Sequence, residues 1–500
     1  VPTVAIHSAP AIPSFPRRGE ILQNRLIQPQ DFDRSSIQKL QSPGNFCCFG
    51  RPVIEEIVMR KSILAVFAAV FSLASVNAVL AAGGSGASPL AAKAISENAS
   101  EAVAAIPELR RMGPAGLDAL FTEYAEDIRQ HTAGTDSDPA RWARIATALD
   151  QVAQQRNAYS SRLYWYTDLS QAKLLAAETK RPILSLRLLG NLTDEFSCAN
   201  SRFFRTALYA NPAIADYLRA NFVLYWSSER AAPRITIDYG DGRKLERTIT
   251  GNSIHYVLDA NGAPVDALPG LYGPGAFLRE LVRDAALVKS LSGKTDEQSF
   301  AVLLSYHQQR MKETTAAWKA DLVAAGVNPR DPRLQAGQDP SAVNAAPRAI
   351  TKAVVEFDVL KSITTDTRQL ESLTDLQAWS KIASRHFGDS ALHANSYRLI
   401  REEMFPGRVG PLPAGEANTL DAAIRKFMLN IALDTVRNEY LLRAQMHAWF
   451  VADGGYGELA SLNSRVYTQL FLTPSTDPWL GLYAPDVYTG LNNSGVTAPR

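Results

Sequence analysis

Two stretches decide the fold: residues 165–190, WYTDLSQAKLLAAETKRPILSLRLLG, and residues 198–226, CANSRFFRTALYANPAIADYLRANFVLYW. From Ala172 to Ala177 the apolar positions follow helical spacing, whereas Ile183, Leu184, Leu186 and Leu188, entered through Pro182, read as a short buried strand. Asn211 followed by Pro212 is a helix start, an N-cap with proline at the first helical position. Phe222-Val-Leu-Tyr-Trp226 is a second apolar strand. Ile254 to Leu258 is a third, closed by the Asp259-Ala-Asn-Gly262 turn and returned by Ala263 to Asp266. A helix from Pro274 to Lys289 completes the unit. The order is helix, strand, loop, Cys198 at a helix start, second helix, then further strands: an α/β domain over residues 161–290. Between Trp226 and Gly251, strand-like alternation around Gly240-Asp-Gly242 predicts an inserted hairpin near 234–249, added beside the central sheet.

This pattern resembles the thioredoxin superfamily, and specifically thioredoxin-like domains that read K-P-I-x-L-x-x, then C-x-x-C, then N-x-x-F-V. Counting back from Phe222-Val223 without a gap puts Cys198 on the first family cysteine and Ser201 on the second, so the motif here is the monothiol C-A-N-S. The loop from Gly190 to Ser197 is longer than the family's, and Ser253 stands where the family has its cis-proline. The resemblance covers about a quarter of the chain. It implies a thioredoxin-like domain flanked by α-helical N-terminal and C-terminal segments.

The apolar run that begins at Met59-Arg-Lys and ends in small residues at Val79-Leu80-Ala81 reads as a secretory signal peptide, residues 59–81. Residues 1–58, with prolines at 2, 10, 13, 16, 29, 43 and 52, read as non-native upstream sequence without order. Export to a bacterial periplasm follows, with no stable membrane anchor after cleavage. The alternative is an uncleaved arm whose run, barely long enough to span a bilayer, stays as an anchor. Cys47 and Cys48 would leave with the signal, so Cys198 would be the only cysteine of the exported chain and no internal disulfide framework is possible. A net charge of +2 without a basic cluster gives no argument for nucleic acid.

Residues 82–160 and 291–475 carry helical patterning. Leu117, Leu120, Phe121 and Tyr124 share a face, and Asp138-Pro139 caps a helix bearing Trp142, Ile145, Leu149 and Val152. Further helices are predicted over 300–322, 343–363, 374–386, 392–404, 420–450 and 456–471, with residues 329–347 as a linker. The tail 476–500 keeps Trp479, Leu482, Tyr483 and Tyr488, which suggests that it packs back onto the body.

If the resemblance holds, Cys198 lies at a helix N-terminus, where unpartnered N–H groups and the helix dipole favour a thiolate. The expected activity is monothiol thiol-disulfide exchange or thiol sensing. Cys198 is then the nucleophile, Ser201 a hydrogen-bond donor to the thiolate and Arg202 its electrostatic support, with a thiol-containing protein or small thiol as partner. Ser253 and His255 are possible neighbours of the sulfur, although strand alternation also allows His255 to point away. The competing reading is a buried, inert cysteine in a non-catalytic thioredoxin-fold module that binds a protein or ligand and has lost its redox pair. The histidines at 131, 307, 386, 393 and 447 are taken as structural or surface residues, and no cofactor or metal is expected, since none sits at a repeated ligand spacing.

Overall fold

The computed structural model describes residues 87–250, 252–328, 340–363, 376–453, 457–474, 476, 479–482, 491 and 496. The stretches read as a signal peptide and as upstream sequence, residues 1–81, lie outside them, as do Tyr483 and Tyr488. The described part of the chain is a mixed α/β protein in which helical segments flank a small sheet.

Five helices come first: α1 (Ala87–Ala94), α2 (Ala99–Arg111), α3 (Pro114–Glu123), α4 (Ala125–Ala133) and α5 (Pro139–Ala153). The Asp138 side chain accepts from Arg141 N, as the Asp-Pro signal predicts. Leu117, Leu120, Ile145, Leu149 and Val152 close a core of their own. Gly116 lets α3 touch α2, because a Cβ there would lie 1.9 Å from the Leu109 carbonyl oxygen.

After α6 (Leu169–Thr179) the chain enters β1 (Ile183–Leu189). A crossover of α7 (Ala199–Phe203), a π-helical turn (Phe204–Tyr209) and α8 (Pro212–Asn221) returns it as β2 (Val223–Arg230), parallel to β1. Such a pairing needs a long connection, which the helices supply. The hairpin is β3 (Arg234–Asp238) and β4 (Lys244–Thr248), then come β5 (Ile254–Leu258) and β6 (Pro264–Pro269). The sheet order is β2-β1-β5-β6, with β5 antiparallel to both neighbours. Two expectations need correction here. The hairpin does not extend the central sheet but forms a separate two-stranded ribbon, because its alternating exposed residues offer no second apolar face. The helix expected to run on from Cys198 stays α-helical for five residues and then widens into the π turn.

Helix α9 (Pro274–Leu291) follows the sheet, and α10 (Asp296–Ala325) opens with a capping box between Thr295 and Gln298. Residues 342–345 form a short helical turn, so the stretch read as a linker is partly ordered. Helix α11 (Ile350–Ile363) begins with the N–H groups of Ile350 and Thr351 on the Asp434 carboxylate, at 2.5 and 2.9 Å, a cap delivered from far along the chain. Then come α12 (Leu376–Arg385), α13 (Ala394–Met404) and α14 (Ala414–Arg437), which passes through a π turn (Asn438–Arg443) into α15 (Ala444–Ala452). Helix α16 (Leu459–Arg465) ends in another π turn (Val466–Leu470). Ile431, Met446, Phe450, Leu462, Val466 and Phe471 pack in the same core as the sheet. Of the tail, Leu480 is buried and its carbonyl takes the Ala342 N–H, whereas Trp479 is half exposed.

Successive residues of β5 point to opposite faces. The His255 ring meets Phe204, Tyr209 and Phe277 of the crossover and α9. Tyr256, one residue on, donates its hydroxyl to Asn463 of α16. The C-terminal helices thus cover the face that the crossover leaves open.

Candidate functional site

Cys198 follows the loop after β1, and its N–H is held by the Leu189 carbonyl at 3.0 Å. That loop is pinned at several points. Gly190 takes a positive φ of 74° to turn out of β1, and Arg205 donates to the carbonyls of Leu192 and Asp194, both at 2.9 Å. Glu195 pairs with Arg156 and Asp194 accepts from Asn191, so each of these acids has its partner in or beside the loop.

The sulfur is fully buried. Its thiol donates to Ser201 Oγ at 3.5 Å, while Ser253 Oγ lies 3.0 Å away on the other side. The Ser201 hydroxyl donates to the Cys198 carbonyl at 2.8 Å. With the thiol proton on Ser201 and the Ser201 proton on the carbonyl, Ser253 is left to donate to sulfur. Every proton of the trio then has an acceptor. Ser201 therefore touches the sulfur as an acceptor, since its own hydrogen is committed to the backbone. Arg202 sends its guanidinium to Thr248 Oγ1 at 2.9 Å on the hairpin.

Of the two possible neighbours, Ser253 reaches the sulfur, whereas His255 packs further along the crossover, against Phe204 and Tyr209. His255 Nε2 takes the Tyr209 hydroxyl at 2.6 Å, and burial pushes its pKa down to about 3, which keeps the ring neutral. Three residues beside the sulfur were not foreseen. Asn200 donates to Asn252 Oδ1 at 3.1 Å, and Tyr467 donates to the Asn252 carbonyl at 3.1 Å, tying the loop before Ser253 to the C-terminal π turn. Beneath them Glu356 and Lys352 form a fully buried pair at 3.1 Å, with Glu356 also taking the Thr250 N–H at 3.2 Å. Burial raises the Glu356 carboxyl, with Lys352 opposing.

Tyr467 also lines a pocket of about 220 Å³ at the C-terminal ends of β1 and β2, together with Arg187, Glu229, Arg230, Asn463 and Thr468. Arg187 reaches Glu229 only at 3.5 Å, and its buried Nε makes no hydrogen bond.

Another group of polar residues sits under β6. The Arg443 guanidinium, fully buried, meets Asp266 at 2.8 Å, Glu280 at 2.5 Å, and Asp284 and Glu439 at 3.5 Å. Burial alone would raise the Asp266 carboxyl, but Arg443 and the two nearby histidines hold it below the usual carboxylate range. Burial and the neighbouring Asp266 charge push Asp284 well up. His307 and His447 place their Nδ1 atoms 2.9 Å apart beside Asp266, and burial lowers both rings. Among the described residues, Asp266, His307 and His447 are the set that can hold a metal ion. His386 instead binds Asp321 at 2.6 Å, and His393 caps α13. One sign of this cluster is present in the sequence: Asp266 is a lone charge inside the apolar run Ala263-Pro-Val-Asp-Ala-Leu.

No protein family, curated protein or solved structure matches this chain. No described helix is long and apolar enough to cross a membrane.

Proposed function

We propose that residues 161–290 are a thioredoxin-like domain that serves as a non-catalytic binding module, its redox pair lost. The observation that carries this reading is the closed environment of Cys198: the sulfur has no exposed surface and is hydrogen-bonded on two sides as a thiol. A disulfide partner must reach the sulfur in line to form a mixed disulfide, and here the sulfur is fully buried with Ser253 in contact with it. Support for the fold assignment comes from the sheet order β2-β1-β5-β6 with a helical crossover between the parallel pair, and from the position of Cys198 where that crossover begins. The ligand surface we assign is the pocket beyond the C-terminal ends of β1 and β2, where Arg187 and Arg230 favour a small anion or an acidic side chain.

The experiment is incubation of native and urea-unfolded protein with oxidised glutathione, followed by intact mass. Adduct on the unfolded chain alone is the expected result. Rapid adduct formation on the native chain would overturn the proposal and restore the second reading, monothiol exchange through Cys198, which the 3.0 Å Ser253 contact to sulfur favours. We further propose that the protein is exported through residues 59–81; secretion from a bacterial host should yield a chain starting near Ala82, and a mass that retains those residues would refute it.

A further inference from the structure

We propose that Asp266, His307 and His447 form a structural site for a first-row divalent transition-metal ion. The three ligands come from three elements that are distant in sequence: β6, α10 and α15. One donor atom from each lies within 4.8 Å of the others, and all three side chains are fully buried. The His307 tautomer is fixed by its neighbour. Its Nε2 lies 3.1 Å from the Val265 carbonyl, which can only accept, so Nε2 carries the proton and Nδ1 presents a bare lone pair. A backbone carbonyl behind the ring is the usual outer support of a metal-bound histidine. His447 Nδ1–H donates to that lone pair at 2.9 Å, a proton that an ion bound by both nitrogens would displace, and Asp266 Oδ1 stands 3.9 Å from His447 Nδ1. For an ion ~2.05 Å from each nitrogen, a 2.9 Å separation corresponds to an angle of about 90°. That suits adjacent positions of a five- or six-coordinate ion, as in two-histidine, one-carboxylate sites.

Four carboxylates converge on Arg443, and Arg310, which also binds Glu280 and Glu439, is the second buried guanidinium. Arg283, nearer the surface, donates to both carboxylate oxygens of Glu280 at 3.2 Å. Asp284 is left with a buried Oδ2 that has no hydrogen-bond partner. Arg443 and Tyr306 occupy Asp266 Oδ2, while Asp266 Oδ1 accepts only the Ala267 N–H and keeps a lone pair toward the histidines. Burial of the whole set argues for a role in holding β6 to the helices rather than in turnover.

The test uses the full chain, unfolded and refolded with cobalt(II) or zinc(II), then desalted. The expected result is one equivalent of retained ion by elemental analysis, visible d–d bands with cobalt, and a melting temperature that rises with metal. His447→Gln should weaken binding by more than ~100-fold, while the double variant His386→Gln/His393→Gln should keep full occupancy. Should His447→Gln fail to fold, the cobalt spectrum of the wild type decides, because nitrogen ligation shifts it from that of the aqueous ion. Wild type that retains no ion and melts at the same temperature with and without metal would overturn the proposal. So would an ion lost only with the surface histidines.

Discussion

Replacing Cys198 with alanine tests whether the thiol is a packed structural group. Two costs are expected. Deleting a sulfur from a fully buried site loses transfer energy and leaves a small cavity, about 1 kcal/mol on the scale of one buried methyl group. Ser253 Oγ then loses its sulfur partner at 3.0 Å in a site closed to water, which adds about 1–3 kcal/mol. The single variant should therefore be destabilised by about 2–4 kcal/mol, and Ser253→Ala by about 0.5–1.5 kcal/mol for its lost hydrogen bond. In the double variant no hydroxyl is stranded, so its cost should fall short of the sum of the singles by about 1 kcal/mol or more. Urea denaturation of all four proteins measures the cycle. Additivity within about 0.3 kcal/mol would show that the two side chains do not interact, and the hydrogen-bonded thiol described above would be wrong.

Gly116→Ala should destabilise by about 3 kcal/mol or more, since the new methyl would meet the Leu109 carbonyl and force α2 from α3; a loss below about 1 kcal/mol in urea denaturation would contradict that close approach. Asp434 offers a pH test, because burial lifts its carboxyl from the ordinary 3.8 to about 6. The native state then holds a proton that the unfolded chain has released, so stability falls as pH rises from about 4 to about 7, by roughly 3 kcal/mol from this group. Asp434→Asn cannot ionise, so its deficit against wild type should be largest near pH 4 and should narrow by that amount toward pH 7; a deficit independent of pH would refute the shift. Tyr467→Phe removes the donor to the Asn252 carbonyl and should raise the rate of Cys198 alkylation in native protein by about 5- to 10-fold, the equivalent of one hydrogen bond. An unchanged rate would separate Tyr467 from the closure over the sulfur.

The sequence made the βα order legible because each step leaves a local mark. Pro182 and the leucines of β1 mark a strand with both faces buried, and Asn211-Pro212 marks a helix start whose cap is seen at Ala213 N. Ser253 was within reach only through the resemblance, which puts it at the cis-proline position beside the first cysteine. Partnerships across the sheet were not legible. Nothing in the spacing of Asn463 or Tyr467 says that they meet Tyr256 and Asn252, since those contacts depend on how α16 lies on the sheet. The same is true of Asp266, His307, Arg443 and His447: they are far apart in sequence, and only the packing of β6, α10 and the helix that carries Arg443 and His447 makes a site of them.

The accessibility of Cys198 was the property the sequence left open, and the C-terminal helices decide it. Between β2 and β5 the chain spends its length on a separate hairpin, so no helix of that connection covers the Tyr256 face of the sheet. Tyr256, Leu258 and Ser185 cannot remain wet on a central strand pair, and the uncovered apolar area would cost ~25 cal/mol per Å². Helix α16 and its π turn take that place, bringing Leu462, Val466, Tyr467 and Leu470 onto the sheet. The π turn admits an extra residue per turn and so rotates the side chains that follow it. Tyr467, inside this turn, reaches the loop that bears Ser253, and Ser253 reaches the sulfur. Closure of the thiol thus follows from the need to cover a sheet face, and a nucleophilic role for Cys198 would require that cover to lift.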